Sequence, residues 1–172
     1  MGAKLSVIGL VLISTAYSQS KTCDRACLEG FIDQYMDALI AHDPKKLPTT
    51  PRVKNTEDGV RLDPGEGFWL TALAKGAYHL FVTDIQAGQV AFLGTMQEGN
   101  PPKPNLVIVA IRPKIENRQV SEIENFVVRN SQAAANLEKL RNPNPVFLAA
   151  VRADRQAPRS DLVRVANASA VW

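Results

Sequence analysis

Four consecutive segments in the middle of the chain have the length and the apolar pattern of β-strands. They are Ala77–Ile85, Gln89–Glu98, Asn105–Pro113 and Gln119–Arg129. The links between them are short and turn-like, whereas a parallel pair of strands needs a crossover of about a dozen residues or more. The pattern therefore predicts an antiparallel sheet whose strands follow one another in chain order.

The segment Cys23–His42 has the pattern of an amphipathic helix instead. Apolar residues recur at spacings of three and four, and the acidic residues lie on the opposite side. Asp43-Pro44 predicts the end of the helix, because the residue before a proline avoids the α conformation. Together these segments predict an α+β fold, in which an N-terminal helix packs on a curved antiparallel sheet of four strands. The apolar stripe consists of Leu28, Phe31, Ile32, Tyr35 and Leu39.

The connection from helix to sheet, residues 44–67, is irregular and contains four prolines. Within it Arg52–Glu57 and Val60–Leu62 flank Asp58-Gly59, which is a favoured two-residue turn, so a small hairpin is predicted. Phe68–Lys75 has apolar residues on one side and predicts a short helix before the first long strand.

In the third long strand, over Asn105–Ile111, both the odd-numbered and the even-numbered positions carry apolar side chains. This pattern is typical of a strand covered on both faces. The helix can cover one face, and the other needs either a partner subunit, which would make a homodimer, or the residues 131–153. Ser131–Arg141 predicts a second helix, and Ser160–Asn167 begins as a third.

The first eighteen residues have the features of a secretory signal peptide. Lys4 supplies the positive charge, Leu5–Ile13 is an apolar run, and Ala16-Tyr17-Ser18 is a small-x-small cleavage pattern. A membrane anchor is the alternative, but an apolar run of about nine residues is too short to span a bilayer. We therefore predict a secreted protein without a membrane segment after cleavage. Its organisation would be a signal over residues 1–18, a domain over 19–130 and a helical or irregular tail over 131–172.

Both cysteines, Cys23 and Cys27, lie just inside the predicted mature N-terminus. On a helix their Cα atoms would lie about 6 Å apart, which a disulfide tolerates. A local disulfide is the first prediction, and a bridge to another chain or two buried thiols are the alternatives. Two cysteines with no adjacent histidine are too few for a metal site. Asn167-Ala168-Ser169 is an N-glycosylation sequon near the C-terminus.

The composition, the charge and the missing motifs of the chain argue against several classes of function. The chain has 172 residues, a formal charge of +3 and charges of mixed sign along its length. There is no basic stripe with interleaved aromatic residues, which argues against a nucleic-acid partner. No phosphate-binding, nicotinamide-binding, serine-hydrolase or zinc-protease motif is present, so no cofactor is predicted.

The most suggestive candidates for chemistry are Glu122 and Glu124. They are two residues apart on a strand and therefore share one face, which is otherwise apolar. Two like charges on such a face would raise the pKa of at least one, as suits a general acid or base. The alternative is that this part of the face is solvated.

The register of the last hairpin adds a constraint. With Asn117-Arg118 as a two-residue turn, the two glutamates face Pro113 and Ile111, and Arg112 faces Ile123. Arg112 would then share its side of the sheet with Asn125, and the glutamates would lie on the other side. An arginine–asparagine set would bind an anionic or carbonyl oxygen, whereas the glutamates would move protons. The remaining pocket candidates are Tyr35, Tyr78, His79 and Asp84.

Taken together, several short motifs of the chain resemble a known family. The similarity covers roughly residues 23–130, and the sequence resembles a secreted, mostly fungal family of unknown function with a nuclear transport factor 2-like, or SnoaL-like, cone domain. The motifs are Cys23-x3-Cys27-Leu28-x2-Phe31, Ala41-His42-Asp43-Pro44 with Leu47-Pro48, Thr56-Glu57-Asp58-Gly59, Gly65-Glu66-Gly67-Phe68-Trp69, Ala87-Gly88-Gln89-Val90 and Ile115-Glu116-Asn117.

This resemblance implies a cone-like α+β domain that binds a small molecule. It also implies a cofactor-free isomerase, cyclase or lyase of fungal secondary metabolism, or alternatively a non-catalytic secreted binding or dimerisation module. The chain departs from the cyclase branch at the end of the last strand. An acid is typical there, and this chain has Val127-Val128-Arg129. The tail resembles the opening of a second helix-led unit.

Overall fold

The structure, a computed structural model, describes residues 23–100 and 102–169. The predicted signal peptide lies outside the described residues. The helices of the described part are α1 (Arg25–Ile40), α2 (Ser131–Leu140) and α3 (Arg159–Ser169). Its strands are β1 (Thr49–Glu57), β2 (Val60–Arg61), β3 (Ala72–Asp84), β4 (Gln89–Glu98), β5 (Asn105–Glu116) and β6 (Gln119–Val128). None of these helices has the length and hydropathy that a membrane-spanning helix needs.

The strands form one curved sheet in the order β2-β1-β6-β5-β4-β3. The four predicted strands are β3 to β6, and each pairs antiparallel with the next, as predicted. The predicted hairpin is β1–β2. It extends the sheet because β1 pairs parallel with β6. The α+β prediction is confirmed, but the sheet has six strands instead of four, because the β1–β2 hairpin joins it. The sheet is mixed because the β1–β6 pair is parallel.

Helix α1 covers the inner face of the sheet with the predicted stripe. Asp24 caps its N-terminus by accepting a hydrogen bond from the Cys27 N–H at 2.9 Å. The helix is two residues shorter at each end than predicted, since Cys23 precedes the cap and His42 has a positive φ of 50°. The stripe residues Leu28, Ile32 and Leu39 are fully buried against inward side chains of β4, β5 and β6.

The predicted local disulfide between Cys23 and Cys27 is present, at a Cα–Cα distance of 5.2 Å. We expect the Cys23→Ser/Cys27→Ser variant to lose about 2 kcal/mol of unfolding free energy, the entropic value for so short a loop. Urea denaturation measures this loss. Reduced wild-type protein serves as the control and should match the variant; equal stability of oxidised and reduced protein would contradict the prediction.

The segment before β3 differs from the prediction. A helix over Phe68–Lys75 is wrong, because only Gly67–Leu70 forms a single 3₁₀ turn and β3 begins at Ala72. The strand starts early because Ala72 pairs with Glu98 at the far end of β4. A backbone partner on the neighbouring strand thus outweighs a local apolar pattern that suits a helix.

Helix α2 lies on the outer face and contacts β5, β3 and β4. Its Ala134 is fully buried. The predicted second layer on the sheet is therefore supplied by residues 131–140 rather than by the whole of 131–153. The chain beyond α2 leaves apolar side chains exposed, including Phe147 and Leu148. Dimerisation stays a prediction.

Candidate functional site

Four polar side chains lie together in the interior, between α1 and the β1–β6 pair. Tyr35 comes from α1, Asn55 from β1, Trp69 from the 3₁₀ turn and Asn125 from β6, and each is at most 2% exposed. The rings of Tyr35 and Trp69 meet edge to face, with centroids 5.3 Å apart. We call these four residues the interior polar cluster.

Strand periodicity and helix spacing explain how these side chains come to point inward. Asn125 lies between Ile123 and Val127, both buried in the core, so its side chain shares their face. Asn55 pairs with Ile123 across the parallel strands and therefore points to the same side. Trp69 is fixed by its backbone, because the His42 imidazole Nδ1 lies 2.5 Å from its carbonyl oxygen.

The interior polar cluster has unused hydrogen-bonding capacity. Among the described residues, the Tyr35 hydroxyl, the Trp69 Nε1–H and the Oδ1 atoms of Asn55 and Asn125 make no hydrogen bond of full geometry, although Asn125 and Trp69 lie close enough to the Tyr35 hydroxyl to lower its pKa. Each buried polar atom left unpaired costs about 1–3 kcal/mol, and folded proteins keep few of them. Four such atoms in one place therefore mark a position that suits a polar partner. Tyr35 and Trp69 offer donors to it, and the two asparagines offer acceptors.

Tyr35 stays protonated in this environment. Burial raises the pKa of its hydroxyl far above the ordinary value, and the Glu57 carboxylate raises it further. Hydrogen-bonding contacts of the hydroxyl with the side chains of Asn125 and Trp69 lower the pKa only in part. A neutral phenol and a carboxylate thus lie close to each other, an arrangement that can donate a proton or hydrogen bond from one group and accept a proton at the other.

Glu57 connects the cluster to a partly exposed ionic network. Its Oε2 accepts a hydrogen bond from the Phe68 N–H at 2.6 Å, and its Oε1 lies 3.3 Å from the Arg129 guanidinium. The backbone must pass very close here, because a Cβ at Gly67 would lie 2.3 Å from the Glu57 carboxylate, at a φ of +61°. Both the close approach and the positive φ favour glycine at position 67.

Arg129 also binds Glu98, at 2.8 and 2.9 Å. The Thr71 hydroxyl donates to the same carboxylate at 2.8 Å. Burial alone would raise the pKa of Glu98, but the hydrogen bonds from Arg129 and Thr71 hold it below its usual range. Arg129, directly after β6, therefore links two carboxylates beside the interior polar cluster.

The interior polar cluster contains some of the predicted pocket candidates and lacks others. The structure brings together two predicted pocket residues, Tyr35 and Asn125, but Asn55, Glu57 and Trp69 were missed. A signal for the first two existed, since alternation along the predicted hairpin strand places Asn55 and Glu57 on one face. A buried tryptophan also needs a partner for its indole N–H, which was a signal for Trp69.

The predicted register of the last hairpin is wrong beyond its first pairs. The turn at Asn117-Arg118 and the Ile115–Val120 pair are as predicted, with positive φ at both turn residues. Ser121 is then an extra residue, so Lys114 pairs with Glu122. A β-bulge of this kind shifts every later pair by one residue. It also puts Asn125 on the inner face.

Arg112 and the two glutamates consequently lie on the same outer face, not on opposite faces. The Arg112 guanidinium is 2.9 Å from Glu122 and 3.0 Å from Glu124. Burial would raise the pKa of Glu122, but its bonds to Arg112 and Lys54 lower it below the ordinary value. The expected upward shift therefore does not occur at Glu122. A catalytic role of Glu122 or Glu124 stays a prediction.

The other predicted site residues lie apart from the interior polar cluster. Tyr78 is buried outside the main core, and its N–H donates to Glu138 of α2. Asp84, at the end of β3, pairs with Arg159 of α3. His79 is exposed and contacts the ring of Phe81. Asn167 is exposed on α3, and its glycosylation stays a prediction. No group of three or more metal-ligating side chains occurs within the described ranges.

Comparison with known proteins gives the fold but no family. No family model matches the chain, and no curated protein matches it. AclR from Streptomyces galilaeus, described as a hydroxylase candidate, has 10% identity and a TM-score of 0.50, with 86% of this chain and 94% of that chain covered.

Two further solved structures are similar at lower TM-scores. A loop-truncation variant of IdmH has 12% identity and a TM-score of 0.45, covering 63% of this chain and 97% of that one. A protein of unknown function with a cystatin-like fold from Methylobium petroleophilum has 14% identity and a TM-score of 0.49, covering 80% and 99%. At the identity of AclR the likeness is one of architecture alone, and the chain has an α+β cone fold.

Proposed function

We propose that this chain is a secreted, small-molecule-binding cone domain whose ligand places an oxygen-bearing group in the interior polar cluster. The observation that carries the proposal is the set of four buried polar atoms of the interior polar cluster that make no hydrogen bond of full geometry. Ligand sites in proteins combine apolar walls with a few precisely placed polar groups. The apolar core around Tyr35 and Trp69 supplies the walls, and the cluster supplies the polar groups.

The arrangement of donors and acceptors indicates the chemistry of the ligand. The Tyr35 hydroxyl and the Trp69 indole N–H both donate, so together they suit a carbonyl oxygen, and they would stabilise the negative charge on that oxygen in an enolate. Asn55 and Asn125 present acceptor oxygens, which suit a hydroxyl of the ligand. We therefore assign the ligand to hydroxylated ketones.

Together with Glu57, the donors Tyr35 and Trp69 would allow acid–base chemistry without a cofactor. The Glu57 carboxylate would take a proton from the carbon next to the carbonyl, leaving an enolate whose oxygen Tyr35 and Trp69 hold. Return of that proton to another carbon completes an isomerisation, and the same enolate serves a cyclase or lyase. Tailoring of a secondary metabolite is the setting we propose. The alternative is a non-catalytic secreted binding or dimerisation module.

Secretion has its own direct test. The protein recovered from the culture medium of an expressing host should begin at Gln19, as the cleavage pattern Ala16-Tyr17-Ser18 predicts. Its intact mass would establish the N-terminus. Retention in the cell with residues 1–18 attached would contradict secretion while leaving the ligand proposal untouched.

Tyr35→Phe tests the ligand proposal with cyclohexanone as the ketone probe. We expect about tenfold weaker binding, the value of one lost hydrogen bond, with unfolding free energy unchanged or higher by up to about 1 kcal/mol. Stability should not fall because the buried hydroxyl that the variant removes makes no hydrogen bond of full geometry to the protein, although Asn125 and Trp69 lie near it. Calorimetric titration and mass spectrometry of co-purifying ligand measure the first effect, and urea denaturation measures the second.

Tyr78→Phe is the matched control, since Tyr78 is also buried but lies outside the cluster. It should bind cyclohexanone as the wild type does. A Tyr35→Phe variant with wild-type affinity, or wild-type protein that binds no cyclohexanone and carries no co-purifying small molecule, would overturn the proposal.

Glu57→Gln separates the enzyme from the binding module. It should bind cyclohexanone but exchange the hydrogens next to the carbonyl with D2O at least about 100-fold more slowly than the wild type, the usual contribution of a general base. Proton NMR follows the exchange. If the wild type binds the ketone without catalysing exchange, the non-catalytic alternative is correct.

A further inference from the structure

Two adjoining cavities run along β3, the edge strand of the sheet in the described part of the chain. One has a volume of about 280 Å³ and lies between α1 and the β3–β4 pair. The other, of about 510 Å³, lies between β3, the start of α1 and the segment 142–148 that follows α2. His79 and Phe81 line both. We call the pair of cavities the edge groove.

The shared wall of the edge groove is aromatic. The ring centroids of His79 and Phe81 are 6.0 Å apart, and those of Phe81 and Phe92 are 5.5 Å apart. The two ring planes are inclined at 61° in each pair. Rings at these distances attract one another beyond their simple burial. A flat aromatic molecule placed against His79 would extend this series of rings.

The opposite wall of the larger cavity comes from the C-terminal part of the chain. Pro143, Pro145 and Leu148 face Leu80 and Phe81 of β3 across it. Leu148 leaves 66% of its surface exposed, so a ligand in the cavity would bury apolar surface that the folded chain does not. Together the two cavities fall in the size range of small-molecule sites, about 300–1,000 Å³.

Charges at the ends of the edge groove are already neutralised within the protein. At one end Arg25 pairs with Glu29 at 3.2 Å. At the other, Lys75 pairs with Asp33 at 3.2 Å and with Asp37 at 2.8 Å. The ligand therefore need carry no charge. In the shared wall, His79 is the side chain that can exchange a hydrogen bond with a hydroxyl.

We propose that the edge groove is a second ligand site, separate from the interior polar cluster, and that it binds a neutral aromatic molecule of two or more fused rings bearing a hydroxyl. The rings lie against His79 and Phe81 and reach Leu148, and the hydroxyl bonds to the His79 imidazole. The proposal is independent of the function proposed for the interior.

The test uses 2-naphthol and the full mature chain. His79→Ala and Leu148→Ser should each weaken binding about two- to tenfold, as expected for the loss of one ring contact or one apolar contact. Phe147→Ser is the matched control for Leu148→Ser, because Phe147 is 67% exposed and does not line the groove. Val82→Ser, an exposed position on the same strand as His79, is the control for His79→Ala.

Amide chemical shifts locate the bound naphthol. Shifts at His79, Leu80, Phe81 and residues 142–148, together with wild-type affinity in both controls, support the proposal. It is overturned if the wild type does not bind 2-naphthol, or if His79→Ala and Leu148→Ser bind it as tightly as the controls. Shifts confined to the outer-face residues Phe126 and Val128 would overturn it as well.

Discussion

Replacing Arg129 with methionine should lower the free energy of unfolding by about 2–3 kcal/mol. The variant has a neutral side chain of similar length but removes the partner of Glu98, whose side chain is only 10% exposed, and a partner of Glu57, whose side chain is 11% exposed. An ionised group left buried and unpaired is costly, about 3–5 kcal/mol for a fully buried pair. Nearly half of Arg129 is exposed, so solvent screens part of the interaction and the expected loss is smaller. Urea denaturation at neutral pH measures it.

Arg152→Met is the control for this variant. Arg152 pairs with Asp154 at 2.8 Å, close to the Arg129–Glu98 distance, but both members of this pair are mostly exposed. Its loss should cost less than about 0.5 kcal/mol, since exposed ion pairs contribute little. Adding Glu98→Gln to Arg129→Met should recover part of the lost stability, because the unpaired charge is removed. Equal losses for Arg129→Met and Arg152→Met would contradict the role assigned to Glu98.

The same pair gives a pH dependence of defined sign. The folded pKa of Glu98 is lowered, so its contribution to stability is present above the ordinary glutamate value and is lost as pH falls through the folded pKa. In Arg129→Met, burial acts without the arginine and favours the protonated acid. The stability gap between wild type and variant should therefore be widest near pH 7. It should begin to narrow above the ordinary glutamate pKa of 4.5, where the acid of the variant protonates, and continue to narrow until the pH has fallen through the lowered pKa of the wild type.

Much of the architecture could be predicted because it depends on local periodicity. The apolar stripe of α1 and the strands β3 to β6 each bury one face. The spacing of apolar residues along the sequence indicates that face directly. The pairing of β1 with β6 has no such local signature, since the partners are about 68 positions apart in the sequence. That pairing is nevertheless what brings Asn55 and Glu57 to the interior.

The candidate site was harder to predict for a related reason. The single extra residue at Ser121 moves Asn125 to the inner face and leaves Arg112 with the glutamates outside. Nothing in the residue types around Ser121 indicates a bulge, because no glycine is present there. One undetected residue therefore reversed the assignment of candidate residues to faces. The prediction for Tyr35 was unaffected, because it rests on helix periodicity within α1.

Replacing Glu138 with alanine should lower the free energy of unfolding by about 3 kcal/mol and release the end of α2 from the sheet. The Glu138 carboxylate accepts hydrogen bonds from the Ala77 N–H at 2.8 Å, the Tyr78 N–H at 3.3 Å and the Thr95 hydroxyl. Burial would raise the pKa of Glu138, but these donors lower it, so the group is ionised at neutral pH. Urea denaturation and amide hydrogen exchange at Ala77 and Tyr78 measure the two effects.

The reason for so large an effect is the irregular pairing of β3 with β4. The pairing of the two strands shifts register between Lys75 and His79. In this stretch the N–H groups of Ala77 and Tyr78 donate to the Glu138 carboxylate. Glu138→Gln keeps an acceptor oxygen and should lose only about 1 kcal/mol, because a neutral acceptor forms weaker hydrogen bonds than a carboxylate. Lys139→Ala, at the next and exposed position of α2, should change stability by less than about 0.5 kcal/mol. If all three variants lost the same amount, the loss would come from helix propensity in α2. If Glu138→Ala alone accelerated exchange at Ala77 and Tyr78, the carboxylate would be the group that holds α2 against the bulged strand.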